Sequence, residues 1–166
     1  MARLYAVAAL AGTLCGCASM QPSTPAPPPP AAQTSPATLF GHGTFHTQSG
    51  LKGSCAGFSV ALWADTPRMR ERMMALYGST THAMAPISLV KSRSAKLTAG
   101  GDDNQLVGSA QCDGRGAFTF PDVAAGAYFL IARVLVTPPR DGERDYVIMR
   151  GVNLRHGEAR DITLAP

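Results

Sequence analysis

From residue 38 onward, clusters of Gly, Pro, Asn and Asp cut the chain into short apolar runs, about one break every ten residues. Punctuation this dense excludes a coiled coil and fits the short strands of an all-β sandwich. Gly41 to Gln48 reads as a first strand. Phe58 to Trp63 sets Phe58, Val60 and Leu62 against Ser59, Ala61 and Trp63, the period of two that puts alternate side chains on one face. Gln105 to Cys112 is a third candidate. Asp113-Gly114-Arg115-Gly116 makes a tight turn whose glycines can take positive φ. Ala117 to Phe120 follows, Pro121 to Gly126 turns again, and Ala127 to Val136 is the longest apolar run. Asp145 to Asn153 and Ala159 to Leu164 close the series. The expectation is a seven-stranded antiparallel sandwich, with length enough for one core.

One interval departs from that rhythm. Thr66 can cap a helix, Pro67 suits its first turn, and Gly78 can end it in the left-handed conformation. Met69, Met73, Leu76 and Tyr77 then share one face, which is expected to pack over one end of the sandwich. Ser79 to Asn104 is a long Ser/Thr/Ala/Gly-rich stretch, with Ile87 to Val90 as an extra strand inside it.

From Cys112 the chain reads CDGRGAFTFPDVAAGAYFLIARV. Asp113, Gly116, Phe118, Phe120, Val123, Gly126 and Tyr128 together resemble the carboxypeptidase regulatory-like domain, a transthyretin-like (prealbumin-like) β-sandwich. Val60-x-Leu62 upstream and VNLRHGEARDITL downstream are similar to its early and closing strands, while 66–104 is an insertion. The resemblance implies a transthyretin-like fold and a non-catalytic role as a structural, adhesive or docking module. It does not imply peptidase activity, and no His-x-x-Glu zinc motif occurs.

The first residues read as an address. Arg3 precedes an apolar stretch, Leu4 to Leu14, too short for a membrane span of about 20 residues but suited to a secretory signal. Leu14-Cys15-Gly16-Cys17 resembles a lipobox, which implies removal of 1–16 and a lipid on Cys17; an ordinary cleaved signal or an uncleaved anchor is the rival reading. Ala18 and Ser19 follow, with no Asp, so the resemblance implies the outer membrane, facing the periplasm. Two or more acyl chains would hold such a protein stably. The lipidated linker 17–37 contains seven prolines between Gln21 and Ala37, with no charge and no aromatic residue. It should be a disordered, extended stalk of roughly 50 Å at about 3.1 Å per residue. The sandwich domain is then 38–166.

Once Cys15 and Cys17 are set aside, Cys55 and Cys112 remain. An oxidising compartment favours their disulfide, with two buried free thiols as the alternative. His42 and His46 are four apart, about 13 Å along a strand, too far to share a metal. With His82 and His156 they read as solvated surface groups. Ser54, Ser59, Asp65 and Asp102-Asp103 form no nucleophile or acid–base set, and no phosphate loop occurs. No catalytic residues, metal or cofactor are expected.

The formal net charge is only +4 and no basic run occurs, which argues against nucleic-acid binding. The expected function is a non-catalytic outer-membrane lipoprotein. Its sandwich serves as a structural or protein-docking module, and its partners are the membrane, through the lipid anchor, and an envelope protein. Carbohydrate or small-ligand binding is the alternative. Trp63, Phe45 and Tyr77 are its only obvious stacking candidates, and core packing accounts for each.

Overall fold

The structure, a computed structural model, describes residues 35–97 and 105–166. Cys17, the signal segment and most of the proline-rich linker lie outside the described residues. The elements in chain order are β1 (Ala37–His42), β2 (Thr44–His46), β3 (Lys52–Ser54), β4 (Ser59–Ala64), α1 (Pro67–Tyr77), β5 (His82–Pro86), α2 (Ile87–Ser94), β6 (Leu106–Gln111), β7 (Ala117–Val123), β8 (Gly126–Arg140), β9 (Glu143–Leu154) and β10 (Ala159–Thr163).

The longest apolar run organises the larger sheet. On one side β8 pairs antiparallel with β9, from Gly126 opposite Leu154 to Leu135 opposite Asp145. On the other side β4 pairs with Tyr128 to Ala132, and β3 with Leu135 to Thr137. Strands β6, β2 and β5 pair outward from β4, β3 and β9. The second sheet has the order β10-β1-β7. Its β1–β7 ladder is antiparallel and its β1–β10 ladder parallel.

The two sheets face each other across a core. Val60, Leu62, Leu130, Ala132, Val134 and Ile148 of the larger sheet meet Leu39, Phe118, Phe120, Ile162 and the following Leu164. A second cluster lies on the opposite face of the larger sheet, where Phe129 and Met149 pack against Met69, Met73 and Leu76 of α1. The middle of the larger sheet is therefore buried on both faces. That explains why β8 reads as a continuous apolar run and not as an alternating one.

Local chemistry fixes α1 as expected. Thr66 Oγ1 accepts a hydrogen bond from the Met69 N–H at 3.2 Å, Pro67 starts the helix, and Gly78 closes it at φ 71°. The Asp113–Gly116 turn also forms, with Gly116 at φ 79° donating its N–H to the Asp113 carbonyl. Phe118 and Phe120 are both buried and meet edge to face at 6.0 Å. The Tyr128 hydroxyl donates to the Ala124 carbonyl at 2.7 Å, which ties the turn before β8 to the strand.

Several expectations are corrected. The described residues contain two helices, not one, and more strands than seven, and one ladder is parallel. The proposed strand at Ile87 to Val90 is the start of α2, and the strand lies just upstream as β5, paired with β9. The first strand divides at Gly43 into β1 and β2, one in each sheet. Helix α1 covers a sheet face and not an end of the sandwich. Phe58 leaves the Val60–Leu62 row: it is half-buried, with the Arg133 guanidinium 4.6 Å from its ring centre.

Cys55 and Cys112 are joined in a disulfide with Cα atoms 5.9 Å apart. Both are buried. The bond sits where the chain crosses between sheets: Cys55 N–H donates to the Gly43 carbonyl, and a Cβ on Gly43 would lie 2.5 Å from Cys55 Sγ. The linked residues are 57 apart in sequence, a loop for which chain entropy gives about 4 kcal/mol of stabilisation. Denaturant unfolding of the oxidised protein against a Cys55→Ser/Cys112→Ser variant should show a loss of that order. An unchanged midpoint would contradict the stapling role.

Candidate docking surface

Among the described residues, strands β2, β5, β6, β7 and β10 each pair on one side only. Unpaired strand edges attract other strands, and proteins blunt them with short length, charge, proline or bulges. Strand β2 has three residues, β5 ends on Pro86, β7 contains Pro121 and Asp122, and β10 carries Arg160 and Asp161. Strand β6 reads LVGSAQ, with neither a charge nor a proline. Its one irregularity is a register shift against β4 beside Val107, after which Gly108 to Gln111 pair in regular order.

The free side of β6 can be assigned from the ladder. Cys112 donates its N–H to Phe58 and accepts from Gly57, so both its backbone groups point towards the β4 side. Strand alternation then turns the N–H and C=O of Ser109 and Gln111 outward. Leu106 and Val107 are 44% and 48% exposed, an apolar pair at the start of this edge. Beside it a cleft of about 450 Å³ runs between β6 and β7, lined by Leu62, Gly108, Phe120 and Val123 among others. Asp122 is the cleft's charged lining residue, in the left-handed region at φ 55°. A second, shallower hollow lies over β2, β3 and the end of β8, with Phe45, Lys52 and Leu135 in its lining.

The Asp113 turn braces the β6–β7 junction. Asp113 Oδ1 accepts from the Ala117 and Arg115 N–H groups, both at 2.8 Å. These backbone donors, Ala117 foremost, hold its carboxyl below the usual carboxylate range. Glu158 is likewise lowered, first by the Arg155 N–H.

The three aromatic candidates for stacking pack in or against the cores, as core packing predicts for each. Phe45 is 8% exposed, and Trp63 and Tyr77 pack against the helical core cluster. Burial pushes the Tyr77 hydroxyl up to about 12. Among the described residues the exposed aromatic ring is Phe40, 42% accessible on the outer face of the smaller sheet, opposite Thr119 and Asp161. Phe40 lies just before the strand that the sequence places at Gly41 to Gln48, whereas β1 starts at Ala37 and includes it. His42, His46 and His156 are exposed, while His82 Nε2 lies 2.6 Å from the Ala165 carbonyl. No cluster of metal-ligating side chains occurs among the described residues. Ser54 and Ser59 bond to Thr44 and Gln111, and Asp65 to Arg70, so the structure does not bring them together. Asp102-Asp103 lie outside the described residues.

No family model and no curated protein sequence matches this chain. A solved structure does. It is a "putative carbohydrate binding protein" from Pseudomonas aeruginosa, 16% identical, with a TM-score of 0.57 over 81% of this chain and 90% of that one. At that identity the likeness shows a shared fold.

The lowered carboxyls give a signed pH dependence. A folded-state value below the unfolded one, about 3.9 for Asp, stabilises above that value and is lost as pH falls through the folded one. Thermal unfolding followed from pH 6 to pH 2 should show the midpoint dropping most steeply below about pH 4. Asp113→Asn should shrink that drop. An identical slope in the variant would remove Asp113 from the account.

Proposed function

We propose that this protein is a non-catalytic docking module of the cell envelope. It is held at the outer membrane, facing the periplasm, by a lipid on Cys17, and is projected on the proline-rich stalk. The sandwich is read as transthyretin-like, in keeping with the turn and strand residues from Asp113 to Tyr128. The observation that carries the docking reading is the β6 edge, where Gly108 to Gln111 follow the one register shift with no charge, proline or further bulge. Its occupant is an extended segment of an envelope protein. Main-chain bonds to Ser109 and Gln111 supply affinity, and apolar side chains entering beside Leu106, Val107 and the cleft supply selectivity. The stalk raises the local concentration of such a segment at the membrane, so that a weak contact suffices.

Carbohydrate binding is the second reading, favoured by the name of the structural neighbour. Phe40, flanked by Thr119 and Asp161, is the ring it would use for stacking. A glycan array that shows binding lost in Phe40→Ala would establish it.

Ser109→Pro is the sharpest variant for the first reading. It deletes an outward N–H while sparing the bonds of β6 to β4, and edge strands accept proline. The variant should fold with an unchanged disulfide and a melting temperature within a few degrees of the parent. It should lose a crosslinked membrane adduct that the parent forms and that a Thr163→Pro control on β10 retains. An adduct of equal yield in Ser109→Pro would overturn docking at β6.

A further inference from the structure

Most carboxylates of this fold are engaged. Asp65 bridges Arg70, Asp113 accepts from the backbone of its turn, Asp145 bridges Arg133, and Glu143 accepts from Ser88 at the start of α2. Asp122 is an exception. It is exposed, and its side chain has no hydrogen-bond or ion-pair partner among the described residues. It sits at φ 55°, where glycine is the unstrained choice. It also lines the cleft of about 450 Å³ between β6 and β7. Among the described residues no cation lines that cleft, and its apolar part is Leu62, Phe120 and Val123.

Gly108 leaves the cleft open. A Cβ at this position would lie 3.6 Å from Phe120 Cδ1, so Gly108 faces that ring from the inner side of β6. Its backbone is not in the left-handed region, so no turn requires a glycine there. A glycine inside a strand marks a place where another group approaches closely. Directly opposed residues on neighbouring strands project to the same face. A residue of an added strand opposite Gly108 therefore sends its side chain into the cleft, past Phe120 and towards β7. Long cationic side chains lay an aliphatic stem on apolar surface and keep their charge at a polar rim. The cleft has that order, with an apolar lining and an unpartnered carboxylate exposed beside it.

We infer that this cleft is the selectivity pocket of the β6 edge and takes a Lys or Arg side chain of the docked strand. Its stem lies over Phe120 and Val123 and its charge meets Asp122. The inference rests on the reading of β6 as a docking edge and specifies the chemistry of the occupant. That occupant is an extended segment with one cation opposite Gly108.

The test offers the full-chain protein a displayed library of short, Thr/Val-rich extended peptides with one randomised position. Peptides held by the parent and lost on Ser109→Pro should be enriched in Lys or Arg at that position. A selected Lys peptide should bind about fivefold more tightly than its norleucine counterpart, and the difference should shrink as NaCl is raised. The two peptides should bind equally to Asp122→Asn, which keeps a residue tolerant of the left-handed region. Gly108→Val fills the cleft and leaves the outward groups of Ser109 and Gln111 in place. It should retain strand binding and lose the preference for Lys. Ser109-dependent binding without cationic enrichment, or a Lys preference undiminished in Asp122→Asn, would overturn the pocket and leave docking at β6 standing. Absence of any Ser109-dependent peptide would overturn both.

Discussion

Burial of β8 on both faces is the constraint on which the rest of this structure depends. Leu130, Ala132 and Val134 face the smaller sheet, while Phe129 faces α1. A strand covered on both sides needs two covering layers, and the chain supplies them from distant segments. The smaller sheet draws on β1, β7 and β10, and the helical layer on the insertion between β4 and β6. The insertion is therefore part of the fold. Without α1, Phe129 and Met149 would present an apolar patch to water, the kind of surface that marks a binding or aggregation site.

What was legible in the sequence was mostly local. The Thr66 cap, the Pro67 start, the Gly78 stop and the Asp113 turn each depend on residues within a few positions of one another, and each formed as read. The disulfide was legible for a different reason, since two cysteines remaining after the signal region allow one pair. What could not be read was pairing across distance. Strand β3 is three residues long and β10 lies parallel to β1, and neither leaves a periodic signal. The region 79–97 misled because Ile87 to Val90 is apolar and β-branched at both ends, the ambiguity that short apolar runs carry. Its helix is settled by packing, through Arg93 on the Leu76 carbonyl and Glu143 at the opposite end.

The candidate site was less legible than the fold. The obvious aromatic candidates for a ligand platform, Trp63, Phe45 and Tyr77, are held in or against the cores, as core packing predicts. The informative feature is a strand without charge or proline, which has meaning only once the sheet order shows that the strand is an edge. LVGSAQ in a central strand would be ordinary. At the rim of the larger sheet, with Leu106 and Val107 exposed and a cleft alongside, it is an opening that the other rims avoid. The disulfide and the Asp113 turn both sit at the end of β6. They anchor this edge to the crossing between sheets, so that an incoming strand meets a fixed template and loses less freedom on binding.

Amide hydrogen exchange of β6 tests this account most directly. In the purified protein, peptides covering Leu106 to Gln111 should contain rapidly exchanging amides, because the N–H groups of Ser109 and Gln111 point away from β4. In the same protein on its native membranes, those amides should be slowed while the peptides of β10 are unchanged. Fast exchange of β6 in both settings would contradict strand addition at this edge.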